Sequence, residues 1–148
     1  MYFHEKRALV SSISSILILG IYSLYIYQNY ILGNPDILND FKFWGKSFLF
    51  LIPVSIVAQI IIHIIFVIIN KIATNEDAPT ITDERDQLIE LKSIRISHWI
   101  FITGFFMAMG SLTMNFRPFV MFIMLIFSGF ISAIASEVAK IYYYRRGV

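Results

Sequence analysis

Four long apolar runs divide this chain, and one sizeable polar segment, residues 70–97, interrupts them; it is centred on Asp83-Glu84-Arg85-Asp86. A helix needs about 20 mostly apolar residues to cross roughly 30 Å of hydrocarbon. The runs at 8–28, 47–70, 98–114 and 119–141 are of that order, the third being short enough to borrow residues from the segment before it. Charged residues make up 15% of the chain, against roughly 25% in a soluble domain. The deficit falls inside the runs, where a charge in lipid is costly. The expected fold is all-α: an integral membrane four-helix bundle forming one domain over residues 1–148, with a polar loop at 71–97.

The first run follows His4-Glu5-Lys6-Arg7 and so begins like a secretory signal. It is longer than a typical signal core, and tyrosines rather than a small-residue cleavage site follow it, so it reads as a retained span. The chain has no cysteine, which excludes disulfides and thiolate metal ligation.

Orientation is read from Lys and Arg outside the spans. With the N-terminus inside, Lys6, Arg7, Lys71, Arg85, Lys92, Arg95, Lys140, Arg145 and Arg146 are cytoplasmic, and only Lys42, Lys46 and Arg117 of the 12 basic residues lie outside. Both termini are therefore expected on the cytoplasmic side of the membrane. Trp44 and its neighbours suit the outer interface, and Trp99 and Tyr142-Tyr143-Tyr144 the inner one. A net charge of +2, carried by residues flanking the spans, gives no reason to expect nucleic acid.

Spans three and four are joined by Asn115-Phe116-Arg117-Pro118, too short for anything but an antiparallel hairpin. Pro118 suits a first helical turn, where its missing N–H costs nothing. Ser128, Ser132 and Ser136 recur every four residues beside Gly129 and Ala133, and span three offers Gly104 and Ala108. Small residues so spaced let two backbones approach closely in lipid. In the polar segment, 75–79 reads as a linker. A helix then starts with Thr82 as N-cap and Asp83, Glu84 and Asp86 in its first turn, where carboxylates complement the helix dipole. It runs into span three or bends near Ser97, giving an amphipathic cytoplasmic helix before that span.

Three constellations are candidates for chemistry. Asp83, Asp86 and Glu90 fall within an arc of about 60° on the loop helix, with no basic residue three or four positions away. They read as a solvated helix start, as a docking face, or as a site for a hard cation. Ser55, Gln59, His63 and Asn70 share an arc of about 80° on span two. They read as interhelical hydrogen-bonding groups, a proton or solute path, or a metal or haem site using His63. His63, His98 and Glu137 are expected at similar depth near the inner face, with Lys140 three residues from Glu137 as its partner. Intramembrane ionisable groups call for a named partner. No phosphate-binding, dinucleotide-binding, zinc-protease or nucleophile-elbow motif is present. No enzyme activity, cofactor or metal is therefore expected.

The segments Asp83-Glu84-Arg85-Asp86-Gln87-Leu88-Ile89-Glu90-Leu91-Lys92-Ser93 and Tyr142-Tyr143-Tyr144-Arg145-Arg146-Gly147 resemble a group of small four-span prokaryotic membrane proteins with a D-E-R-D-type loop and a Y-Y-R-R-G tail. The resemblance implies the same four-span layout and a pairing of loop with tail, and supplies no activity. Arginine forks bind carboxylates bidentately, so Arg145 or Arg146 is expected to meet Asp83, Asp86 or Glu90. The functional expectation is a small accessory or regulatory membrane subunit acting through its cytoplasmic face. Its partners would be the bilayer and a cytoplasmic or membrane protein, or a second copy of itself. The alternative is a proton-coupled carrier using Gln59, His63 and Glu137.

Overall fold

The computed structural model describes residues 3–75 and 83–147. They form four helices: α1 (Phe3–Ile26), α2 (Phe41–Thr74), α3 (Glu84–Thr113) and α4 (Pro118–Arg146). A wide π turn, Tyr27–Ile31, prolongs α1, and a 3-10 turn, Pro35–Asn39, leads into α2. All four helices are long and apolar enough to cross a membrane. The chain is thus an all-helical, multi-pass membrane protein.

The helix ends follow from local chemistry. Asp40 caps α2 by accepting from Lys42 N at 2.9 Å, and Asn75 ends it in the left-handed conformation (φ 56°), which Asn tolerates better than most residues. Pro118 opens α4, and Gly147 closes it at φ 76°. The proposed cap Thr82 and residues 76–79 of the linker lie outside the described residues. Within them, Asp83 caps α3, accepting from Glu84 N at 2.7 Å, while the Asp86 carboxylate accepts from Asp83 N at 3.3 Å. This reciprocal capping box places the helix start one residue from the expected one.

Of the two courses open to the loop helix, the structure takes the first. Residues 84–97 run into the third span without a bend near Ser97 and form the first half of α3, which is unbroken for 30 residues, about 45 Å. Hydrocarbon takes up only about 30 Å of that. α4 runs antiparallel beside it for 29 residues. Both helices are therefore longer than the apolar layer is thick; the start of α3 and the end of α4 lie together at the end bearing the termini, the loop end. The opposite end, which carries the short connections, is the turn end.

α3 and α4 pack most extensively on each other, α4 next on α1, and α1 on α2; α2 and α3 do not pack together. The helices thus form a curved row, α3–α4–α1–α2, rather than a closed square. The hairpin is close because Gly104 meets Ser128: a Cβ built on Gly104 would lie 2.3 Å from Ser128 Cβ. Ala108, Ser111, Ser128, Ser132 and Ser136 are buried around this contact. Ser128 and Ser132 donate to carbonyls three residues back on their own helix, so no hydroxyl proton is stranded in an apolar layer.

α2 is held differently. Gln59 Nε2 donates to Ser15 Oγ at 2.8 Å, Ser14 Oγ donates to Gln59 Oε1 at 3.1 Å, and Tyr22 OH donates to Ser47 O at 2.7 Å. At the turn end the Trp44 ring stacks on Phe122 of α4 (5.5 Å, 6°) and Phe48 meets the same ring. The most apolar window of α2 has a mean hydropathy of 2.7 and no buried residue, so most of this helix faces lipid.

Because Gly104 leaves no room for a methyl group, Gly104→Ala should cost about 1–3 kcal/mol through overpacking of the hairpin. Gly110, whose Cβ would meet nothing within 4 Å, should accept alanine neutrally or with a gain of about 0.5–1 kcal/mol from helix propensity. Thermal unfolding of the two purified variants in one detergent checks the contrast.

Candidate functional site

The loop end gathers residues that are far apart in sequence. Ile89 and Ser93 are buried against α4, which sets the rotation of α3 and turns Asp86 inward. Tyr144 of α4 donates its hydroxyl to Asp86 Oδ1 at 2.9 Å, and Arg85 Nη2 donates to the Tyr144 carbonyl at 3.3 Å. His4 of α1 stacks on the Tyr144 ring (5.3 Å, 9°), with its Nε2 3.8 Å from Asp86 Oδ2. Beside them Arg145 Nε lies 3.5 Å from Glu5 Oε2, whose side chain is only 6% exposed. These contacts latch α1, α3 and α4 together.

The latch corrects the expected loop–tail pairing. The loop helix does meet the tail, but through Tyr144 and Arg85. Arg145 turns to Glu5 on α1, and Arg146 contacts the hydroxyl and ring of Tyr142 on its own helix. Successive helical residues point about 100° apart. With Tyr144 facing α3, Arg145 and Arg146 cannot face it too. Asp83 is spent on the cap and Asp86 on the cap and Tyr144, while Glu90 is exposed.

Inside the latch lies a polar chamber of about 190 Å³, lined by His4, Arg7, His63, Glu90, Glu137 and Lys140 among others. Lys140 Nζ donates to Glu137 Oε1 at 3.0 Å. His63 Nδ1 is buried and has no hydrogen-bond partner among the described residues. His63 and Glu137 therefore share one chamber. His98 does not join them: it is exposed on α3, about 140° around the helix from buried Ser93.

A larger apolar cleft of about 670 Å³ adjoins the chamber between α2 and α4. Its floor is Ser11, Ser15 and Ile18 of α1, and Phe48, where it meets the aromatic cluster, lines its far end. The polar stripe expected on α2 is only partly a stripe. Gln59 is tied to the two α1 serines, Ser55 donates to Leu51 O, and Asn70 contacts Thr74 near the helix end. Beyond Gln59 the α2 side of the cleft is Ile56, Ile52, Leu51 and Phe48, so the polar lining does not cross the membrane layer. Such a site can hold a molecule that is polar at one end and apolar at the other. Among the described residues no group of three or more His, Asp or Glu is placed to hold a metal ion.

His4, Glu5, Arg7, Arg85 and Tyr144 were not singled out by the sequence. His4, Glu5 and Arg7 sit in what looks like a basic flank, and Tyr144 in what looks like an interfacial tyrosine run. The one signal in the chain was Glu5, an acid among basic neighbours at a helix start. Comparison with family models, with curated proteins and with solved structures finds no match for this chain.

Two measurements test the latch. A Tyr144→Phe, Asp86→Asn double-mutant cycle should show a coupling of about 1 kcal/mol, at the modest end for a half-exposed hydrogen bond to a charged group; the readout is thermal unfolding. Separately, Arg145→Glu should lower the melting temperature by placing a second carboxylate beside buried Glu5. Glu5→Arg should restore it in the double variant, whereas Asp86→Arg should not.

Proposed function

We propose that this protein is a non-enzymatic accessory subunit of a membrane assembly, and that it acts through the loop end. The excess of basic residues at that end supports placing it, with both termini, on the cytoplasmic side of the cell membrane. The observation that carries the reading is the outer face of α3. Opposite the buried Ile89 and Ser93, this helix exposes Leu88 (47%), Leu91 (66%) and Trp99 (64%), with exposed Arg95 between them.

Trp99 suits an interface, and the 15 residues from Glu84 to His98 reach about 22 Å past it. Leu88 and Leu91 are then apolar side chains presented outside the hydrocarbon layer, on a helix that the latch holds in one orientation. Leu88 and Leu91 have the i, i+3 spacing by which apolar side chains of a helix enter a partner's groove. Charged Glu84, Arg85 and Arg95 surround them, as at the polar rim of a protein interface. The docking residues are thus the leucines rather than Asp83 and Asp86, which are consumed within the chain.

The test is gentle extraction from the native membrane and identification of what co-purifies, wild type against Leu88→Glu/Leu91→Glu. A partner, or a second copy of the chain, retained by the wild type and lost from a variant with an unchanged melting temperature is the expected result. Equal retention by both, or a wild type that stays alone, would overturn the reading.

A further inference from the structure

The polar chamber and the apolar cleft lie on a different face from the exposed leucines, and a ligand bound in them needs no partner docked on α3. Ser11, His63 and Glu137 line both volumes, so the two adjoin at these side chains. The cleft alone, at about 670 Å³, is the size of a small-molecule site.

The chemistry changes in a fixed order along this path, because the helix registers impose it. On α1 the lining passes from Ile18 and Ser15 through Ser11 to Arg7 and His4; on α4 it passes from Leu125 and Phe130 through Glu137 to Lys140 and Tyr144. Glu90 and Asp86 of α3 stand at the mouth. Toward the loop end the path is therefore apolar, then a level of hydroxyl, imidazole and the Lys140-paired Glu137, then the cations Arg7 and Lys140, with Glu90 and Asp86 contributed by α3.

We propose that this combined site binds one phospholipid with a zwitterionic, primary-ammonium headgroup, a phosphoethanolamine lipid. Its acyl chains lie in the cleft and its glycerol esters beside Ser11 and His63. Its phosphate sits between Arg7 and Lys140, and its ammonium at Glu90. Lys140 would be shared between the phosphate and Glu137, and the other groups this needs are open to a ligand. Arg7 and Glu90 are exposed and form no ion pair among the described residues. His63 Nδ1 is buried without a partner among the described residues, as a donor awaiting an ester oxygen would be. Asp86 is held by the cap and Tyr144, and Glu137 by Lys140, so Arg7 and Glu90 are the chamber's charges left without an ion pair among the described residues. A headgroup carrying only negative charge would answer Arg7 and repel Glu90, whereas one with an outer ammonium satisfies both.

The experiment uses the full chain in mild detergent micelles doped with equal amounts of dioleoyl phosphatidylethanolamine and dioleoyl phosphatidylglycerol, with bound lipid read by native mass spectrometry. The expected result is a single phosphatidylethanolamine adduct about tenfold more abundant than the phosphatidylglycerol adduct. Arg7→Gln and Glu90→Gln should each reduce it about tenfold, as expected for loss of one charge-assisted hydrogen bond. Ala133→Trp, which fills the cleft, should remove it. Both lipids binding equally in a ladder of stoichiometries would mean annular lipid only and would overturn the proposal. So would preference for phosphatidylglycerol, or indifference to both Arg7→Gln and Glu90→Gln. Since neither residue forms an ion pair among the described residues, melting temperatures should be unchanged in these two variants; if one melts early, the other decides.

Discussion

The close approach of α3 and α4 at Gly104 and Ser128 governs the rest of the molecule. Lipid tails are as apolar as leucine, so two membrane helices gain little from burying apolar surface and associate through close van der Waals contact. Once Gly104 admits Ser128, the two long helices stay side by side through the loop end. That alignment sets Asp86 opposite Tyr144 and buries Ile89 and Ser93. The latch then recruits α1, through the stacking of His4 on Tyr144 and the approach of Arg145 to Glu5. A contact in the apolar layer thus decides how the polar end is arranged.

α2 shows the complementary case. It attaches by a few directional contacts, the Gln59 amide to two serines and aromatic rings at the turn end, and makes no packing contact with α3. A row of helices held this way cannot close on itself. The open side is the cleft, and its polar end is the chamber. Rigid packing on one side and sparse packing on the other produce one latched face and one open face, which suit a docking surface and an amphiphile site respectively.

Much of this was legible in the chain. Run length and charge deficit specify four spanning helices, and a four-residue connection specifies a hairpin. Serines spaced by four opposite Gly104 indicate which faces of α3 and α4 touch. The three-residue spacing of Glu137 and Lys140 is enough to bring them together on one helix. Local geometry of this kind is fixed by helical periodicity and needs no knowledge of neighbours. The loop–tail pairing shows where such reasoning stops. Both segments meet, but a choice among Tyr144, Arg145 and Arg146 depends on the rotation of α4, and 100° of rotation exchanges one side chain for the next. His98 fails for the same reason: its direction, outward on α3, was not readable from its position in the chain.

Sequence alone thus determined that the protein is helical, that it has four spans, that Pro118 opens the last of them, and which helix pair lies closest. These properties depend on hydrophobic length and on contacts within a few residues. Only the tertiary structure decided which polar groups neutralise one another, that α2 stands apart from α3, and that His63 and Glu137 border one chamber while His98 does not. Those outcomes depend on the relative rotation of helices joined across distant parts of the chain, and in an apolar layer that rotation is set by a few small-residue contacts and hydrogen bonds.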